Sequence, residues 1–401
     1  MKKTLAFNYF NIILILLCAL SVKPILSQSF RGISPISEEE AWFSGSKGTI
    51  LYTHDGAKSF DTLSPKKFKN KDFRDIHAID KNSAVIMSVG DSAVILKTIN
   101  HGRSWNVVYE DNRPGIFFDV IEINNQTGVG IALGDPLPDS VFNATDKTSI
   151  AKHFVALYTP DYGNHWYPIP NGTWNLATNN LSSMFAASGT SLVYNKLEFD
   201  QSKSNWTILM DFYFSGGGSQ SAEIRQVILS FQMQQPKQTF EYLKFDYPLK
   251  FPSGDSWGIY GMQKINNRIF CFGGNWKYPN AIDSFCYVIH LSNVQYSINQ
   301  HQIKSLIPTN SYQFPQTGYR SGGAMMCLPK TDQFLGLSLG SNGIDFIQTK
   351  DKISTKLNPV DPSLNTIKGA NVCINIGNTF WIAGNKGLIL RKTIHNLVSN
   401  R

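Results

Sequence analysis

Short apolar runs separated by polar turns recur along this chain. Thr49-Ile50-Leu51-Tyr52 and Phe154-Val155-Ala156-Leu157-Tyr158 have the β-branched and aromatic character of packed strands, and segments with a helical period are scarce. The strands fall into groups centred on a glycine phrase. Trp42-Phe43-Ser44-Gly45-Ser46-Lys47-Gly48 near the start is answered by Trp381-Ile382-Ala383-Gly384-Asn385-Lys386-Gly387 near the end, with Ser88-Val89-Gly90-Asp91 and Ala132-Leu133-Gly134-Asp135 between. Gly45 to Gly90 is 45 residues, Gly90 to Gly134 is 44, and Gly340 to Gly384 is again 44. Short strands at a period in the forties predict a β-propeller with about four strands per blade. Blades are drawn at 30–65, 66–112, 113–172, 180–248, 254–308, 317–358 and 366–395, centred on Gly45, Gly90, Gly134, Gly217, Gly273, Gly340 and Gly384. The expectation is an all-β, seven-bladed propeller filling residues 28–401 as one domain. Asp135 to Lys152 reads as an insertion and Ser215 to Ser219 as a long turn. The last blade ends one strand short after Leu390-Arg391-Lys392, so a strand from the other terminus is expected to complete it.

Residues 1–27 pattern as a secretory signal peptide. Lys2 and Lys3 precede an apolar core, Ile12 to Leu20, and Ser27 is a small residue before the cleavage point. The core is short for a membrane span and no later segment is long and apolar enough to supply one, so a secreted or lumenal chain is expected. Removing Lys2, Lys3 and Lys23, with no acid lost, takes the net charge from +8 to +5. With charged residues at 16% of the chain, that balance excludes an obvious nucleic-acid binder and fits a modest preference for acidic partners. The run Lys66, Lys67, Lys69, Lys71 reads as a solvated loop. With Cys18 in the leader, four cysteines remain. Cys271 with Cys286 would close a loop of about 15 residues, worth about 3 kcal/mol, and Cys327 with Cys373 is a second possible disulfide. None has metal-site spacing, so no metal and no cofactor is expected. Glycosylation triplets stand at Asn125, Asn143, Asn171, Asn180 and Asn205.

Three hairpins carry a tighter signature: Thr53-His54-Asp55-Gly56-Ala57-Lys58-Ser59-Phe60, Thr98-Ile99-Asn100-His101-Gly102-Arg103-Ser104-Trp105 and Thr159-Pro160-Asp161-Tyr162-Gly163-Asn164-His165-Trp166. Asp55, Asn100 and Asp161 can accept bonds from their own turns, the glycines supply positive φ, and Phe60, Trp105 and Trp166 bury a ring between sheets. Ala57 replaces the usual glycine, so an altered turn is expected in the first copy. His54, His101 and His165 read as exposed turn residues.

These hairpins resemble the Asp-box, or BNR repeat, of sialidases, sortilin-type receptors and the photosystem II stability/assembly factor-like propellers. The likeness is to the last group, in its non-photosynthetic members. It rests on Phe30-Arg31-Gly32-Ile33, Asp72-Phe73-Arg74-Asp75-Ile76, Phe117-Phe118-Asp119, Gly130-Ile131-Ala132-Leu133-Gly134-Asp135-Pro136, Phe185-Ala186-Ala187-Ser188-Gly189-Thr190, Tyr319-Arg320-Ser321-Gly322 and the two tryptophan phrases. Residues 193–249 match poorly. The resemblance implies a seven-bladed ring that binds and assists assembly without a catalytic centre.

The first strand of a propeller blade lines the central channel. Arg31, Arg74 and Arg320 begin three such strands, so their guanidinium groups are expected to converge on an anion, with Asp119 beside them. An arginine-rich face is also what the resemblance implies. The bland alternative is that each arginine pairs with a nearby acid, as Arg74 with Asp72, Asp75 or Asp119. The resulting reading is a non-enzymatic monomer that binds a protein, or an acidic small molecule or glycan. The alternative is a sialidase-type glycosidase, with Tyr319 or Tyr260 as nucleophile and Asp75 or Asp119 as acid. No recognisable glutamate motif stands beside them, and no Gly-x-Ser-x-Gly elbow or Walker loop occurs. A sortilin-like receptor ectodomain is disfavoured, since no transmembrane helix or cysteine-rich module follows.

Overall fold

The computed structural model describes residues 28–90, 92–138, 152–169, 183–185, 188–200, 207–218, 222–232, 240–248, 254–281, 286–298, 301–314, 318–350, 353–357, 364 and 366–394. These form seven antiparallel sheets in chain order, six of four strands and a last one of three. The innermost strands are Phe30–Pro35, Asp72–Ala78, Phe118–Ile123, Leu192–Asp200, Trp257–Ile265, Gly322–Cys327 and Ala370–Ile376. Each lies against the next, and the last lies against the first, so the chain is a closed seven-bladed propeller.

Seven apolar clusters fill the seven junctions between neighbouring blades. A strand directs alternate side chains to opposite faces, so each blade feeds two clusters. Phe60 packs with the cluster joining blades seven and one, Trp105 with that joining one and two, and Trp166 with that joining two and three. Each hairpin aromatic thereby ties its blade to the preceding one. The hairpins share one bonding set. The threonine hydroxyl donates to the acid or amide (Thr53 to Asp55, 3.0 Å; Thr98 to Asn100, 3.1 Å; Thr159 to Asp161, 3.0 Å). That acid or amide oxygen also accepts from the N–H of Ser59, Ser104 and His165 respectively, at 2.9, 3.0 and 3.0 Å. Ala57 does not alter its turn. It holds φ 69° and donates to Thr53 Oγ1 at 3.1 Å, as Gly102 and Gly163 do to Thr98 and Thr159.

Several expectations are corrected. No disulfide joins Cys271, Cys286, Cys327 and Cys373. Cys271 packs between blades four and five and Cys286 between five and six, on opposite faces of one sheet. Cys327 and Cys373 likewise lie in the two junctions flanking blade six. Side chains on opposite faces of a sheet cannot meet within bonding distance. Ser215 and Gly216 end the strand Thr207–Gly216, and Gly217 bridges Ser183 and Gly258, so this stretch is not a free turn. Gly90 is not the counterpart of Gly45, because the register puts Ser88 opposite Phe73 where Gly45 stands opposite Phe30.

No strand from the N-terminus completes the last sheet among the described residues. The seam is closed mainly by side chains, with one backbone bond from Gly387 N to Gln28 O at 2.9 Å. Phe43 meets Trp381 edge-on at 5.8 Å, and Asn371 Nδ2 donates to Phe30 O at 2.9 Å. Glu38 accepts from Asn378 N at 2.9 Å and Thr379 Oγ1 at 3.1 Å, and Arg391 pairs with Glu39. The leader and Asn143, Asn171, Asn180 and Asn205 lie outside the described residues.

The recurring glycine has a steric cause. A Cβ on Gly45, Gly134, Gly273, Gly340 or Gly384 would lie 2.1–2.5 Å from a carbonyl oxygen at the start of its blade's inner strand. Gly384→Ala, with its Cβ 2.1 Å from Gly369 O, is expected to lower stability by about 1–3 kcal/mol. Chemical denaturation measures this, and an unchanged midpoint would show that the inner strand yields freely.

Candidate functional site

The same close approach shapes the channel. At each of five inner strands one residue is left without a cross-strand partner: Arg31, Arg74, Asp119, Tyr260 and Asn371. These are β-bulges at one level of the ring, and a bulge re-aims a side chain and bends its strand. Arg31, Arg74 and Asp119 therefore occupy equivalent places on three successive blades. The arginine mouth also holds Tyr319, whose buried ring meets Tyr260 edge-on at 4.9 Å, and Phe185, stacked on Tyr260 at 5.5 Å. Arg74 lies over the Phe117 ring at 5.1 Å. Burial, then the neighbouring Arg74 charge, lowers the pKa of Arg31, while Asp72 and Tyr319 oppose the shift. Burial pushes the phenols of Tyr260 and Tyr319 up, and Tyr260 donates to Ser256 O at 2.9 Å. Burial also raises the Asp135 carboxyl to about 6, against the Met184 N–H it accepts and the Arg74 charge.

Arg320 does not join this cluster. Its side chain is 1% exposed and pairs with the equally buried Asp345. It also donates to Tyr319 O at 2.9 Å and Asn342 Oδ1 at 2.6 Å. The cause is a frame offset of one residue. Gly322 pairs with Leu339 as Gly32 pairs with Ser44, which makes Ser321 the counterpart of Arg31 and Arg320 that of the core residue Phe30. One step along a strand exchanges the faces. Asp119, 2% exposed, is placed at the arginine level but within the wall.

Below the arginines the channel is blocked. Ser188-Gly189-Thr190 of blade four reaches across the axis. Thr190 O accepts from Met262 N of blade five at 2.6 Å, and a Cβ on Gly189 would fall 1.8–2.0 Å from the Asp75 carboxylate of blade two. Asp75 accepts from Ile76 N at 2.8 Å and Ile121 N at 2.9 Å. Burial nevertheless raises its carboxyl to about 7.

Beyond this septum the opposite mouth opens as a cavity of about 550 Å³ to which all seven inner strands contribute. Its polar wall includes His77, Glu122, Tyr194, Asn195 and Lys264. His77 Nδ1 lies 3.7 Å from Glu122 Oε2, and His77 Nε2 lies 3.0 Å from Asn125 Oδ1. Burial opposes the charged imidazole, but bonding and charge from Glu122 outweigh it and raise the His77 pKa. Sequence reasoning missed this site. Its only signal was that His77 and Glu122 follow the bulge residues of adjacent strands by three positions. Asn125 is exposed, but its Nδ2 donates to Ala78 O at 3.1 Å. Among the described residues no group of three or more His, Cys, Asp and Glu side chains could hold a metal.

No family model and no curated protein matches the sequence. Among solved structures the chain is similar to YCF48 bound to a D1 peptide, at 12% identity and a TM-score of 0.46, over 92% of this chain and 94% of that one. YCF48 from Cyanidioschyzon merolae follows at 11% identity, TM-score 0.46, over 92% and 97%. Saccharomyces cerevisiae Sqt1 stands at 8% identity, TM-score 0.44, over 92% and 97%. At these identities the likeness is one of overall shape.

The raised Asp75 carboxyl makes a pH prediction. Its value of about 7 in the fold lies above the ordinary 3.8, so its contribution to stability is complete below about pH 4 and lost as pH rises through 7. Asp75→Asn is expected to remove that dependence, and its stability relative to the parent should rise between pH 4 and 8 in urea titrations. Asp135 acts in the same sense in both proteins and cancels in the comparison. A pH-independent difference would refute the assignment.

Proposed function

We propose that this propeller is a non-catalytic binding protein whose arginine mouth takes carboxylate groups of an acidic protein segment. The observation that carries the reading is the placement of Arg31 and Arg74 at equivalent bulges on adjacent strands, close enough for each charge to act on the other. Two guanidinium groups held close in a part-buried mouth, with Asp72 and Asp135 acting on them from the wall, offer charge-assisted donors to an incoming carboxylate.

The surrounding loops support an acidic partner. The connections on this face carry seven exposed lysines: Lys47, Lys66, Lys67, Lys69, Lys277, Lys368 and Lys386. Among the described residues the only exposed acid on them is Asp255. On the opposite face the exposed charges of the connections are mixed, Glu39, Asp80 and Asp332 against Lys58, Lys81, Arg103 and Lys330. The lysines act as a steering field, and the arginines as the point of capture. Trp276 and Tyr278, 49% and 68% exposed, stand on the same face, where an extended peptide can cover them. The leader pattern assigns this activity to the secretory pathway.

The sialidase-type alternative loses ground at two places. Arg320 is engaged by Asp345, which leaves two arginines where that chemistry uses three. The Tyr260 hydroxyl is bound to Ser256 O and its ionisation is opposed by burial.

The test is a fluorescence titration with a labelled peptide rich in Asp and Glu and ending in a free carboxylate. Arg31→Ala with Arg74→Ala is expected to weaken binding at least about ten-fold with unchanged melting, and affinity should fall as salt rises. Arg320→Ala is expected instead to cost about 3–5 kcal/mol of stability, because it removes the guanidinium that pairs with the buried Asp345 carboxylate. Unchanged peptide affinity in the double variant would place binding elsewhere. Hydrolysis of a fluorogenic sialoside, lost in Tyr260→Phe, would replace the proposal with the enzymatic one.

A further inference from the structure

The cavity at the opposite mouth is separate from the arginine mouth, and its chemistry differs. Lys264 stands on its wall, part-buried, and forms no ion pair or hydrogen bond among the described residues. Burial lowers the pKa of its ammonium group, and the charge of Asp211 offsets only part of that shift. Asp211 itself accepts from Gln226 Nε2 at 3.0 Å and from Asn195 Nδ2 at 3.3 Å. Glu122 stands on blade three, two blades away from Lys264, beside His77 and near enough to Tyr194 to raise its phenol pKa after burial. The wall is mixed: Ile33, Ile121, Leu192, Met262, Ile374 and Ile376 give it apolar surface, and Tyr194, Asn195, Gln263 and Asn375 add polar groups. A concave site of this size, with apolar surface and charged groups at fixed places, is the usual form of a small-ligand pocket.

We infer that this mouth binds a small zwitterion with an apolar body, such as a short hydrophobic peptide, its carboxylate on Lys264 and its ammonium on Glu122. Neither end alone accounts for the arrangement. A plain anion would leave Glu122 facing it, and a plain cation would meet Lys264. The apolar residues of the wall receive the body that joins the two charges. The amides of the wall are already engaged: Gln263 Nε2 donates to Asn375 Oδ1 and Gln263 Oε1 accepts from Met325 N, both at 2.5 Å, and Asn195 Nδ2 donates to Asp211 Oδ1 at 3.3 Å. They fix the wall and leave Lys264, and Glu122 with His77 beside it, to choose the ligand. This inference stands apart from the acidic partner proposed above, because Asp75 and residues 188–190 close the channel between the two sites.

Isothermal calorimetry on the full chain with the dipeptide Leu-Leu, its N-acetyl form and its C-terminal amide tests it. Saturable binding of Leu-Leu is expected, with each capped form weaker by about ten-fold or more. Lys264→Met should abolish the difference between Leu-Leu and its amide, and Glu122→Gln the difference between Leu-Leu and its acetylated form. Arg31→Ala with Arg74→Ala should leave all three affinities unchanged, which separates this result from failure of the arginine mouth. Equal binding of the three peptides, or none at about 10 mM, overturns the inference. The capped peptides probe the parent chain directly, so the outcome is decided even if a variant fails to fold.

Discussion

The contact on which this structure turns is a carbonyl oxygen pressed against a glycine. At the start of five blades the inner strand approaches the second strand so closely that no Cβ fits between them. The strand continues only by inserting an extra residue, and that residue, freed from the ladder, is turned out of the ordinary alternation. Sequence phrase, bulge and channel lining are one feature seen at three scales. The glycine recurs because the approach recurs; Arg31 follows the glycine's partner by one residue, and Arg74 holds the same place on blade two, where Ser88 stands at the glycine position.

The bulges set the level of one mouth, and a second constraint divides the channel. Ser188-Gly189-Thr190 crosses the axis and leaves no room at Gly189 for anything but a hydrogen beside Asp75. Asp75 is bonded by two backbone N–H groups and still carries a raised carboxyl, so desolvation dominates its environment. The septum gives the two mouths different chemistry. One is a cluster of guanidinium and aromatic groups within a field of lysines. The other is a cup of mixed apolar and polar wall, with Lys264 on one side and the Glu122–His77 pair on another.

Much of the fold was legible in the sequence because its repeat is steric. The glycine phrase marked the blades, and the threonine, acid and aromatic spacing marked three hairpins. What was not legible depended on parity. Arg320 looks like Arg31 in the phrase Tyr319-Arg320-Ser321-Gly322, yet one residue of offset sends it into the core, onto Asp345. Cys271 and Cys286 lie on paired strands, yet they face opposite junctions. Gly90 kept the period although Ser88 holds the position. The cup at the second mouth leaves almost no trace in the sequence, because its members come two to four from each of seven strands.

The seam between the first and last blades has a thermodynamic consequence. Among the described residues no strand is shared across it, and its apolar cluster is built like the other six. A ring fastened by a clasp has a weakest place, where it opens before the rest has melted. Here each blade is flanked by two apolar interfaces, and losing any one exposes two apolar faces at once. That cost disfavours opening at the seam as it does at the other junctions, and it couples the first and last blades to the rest of the ring.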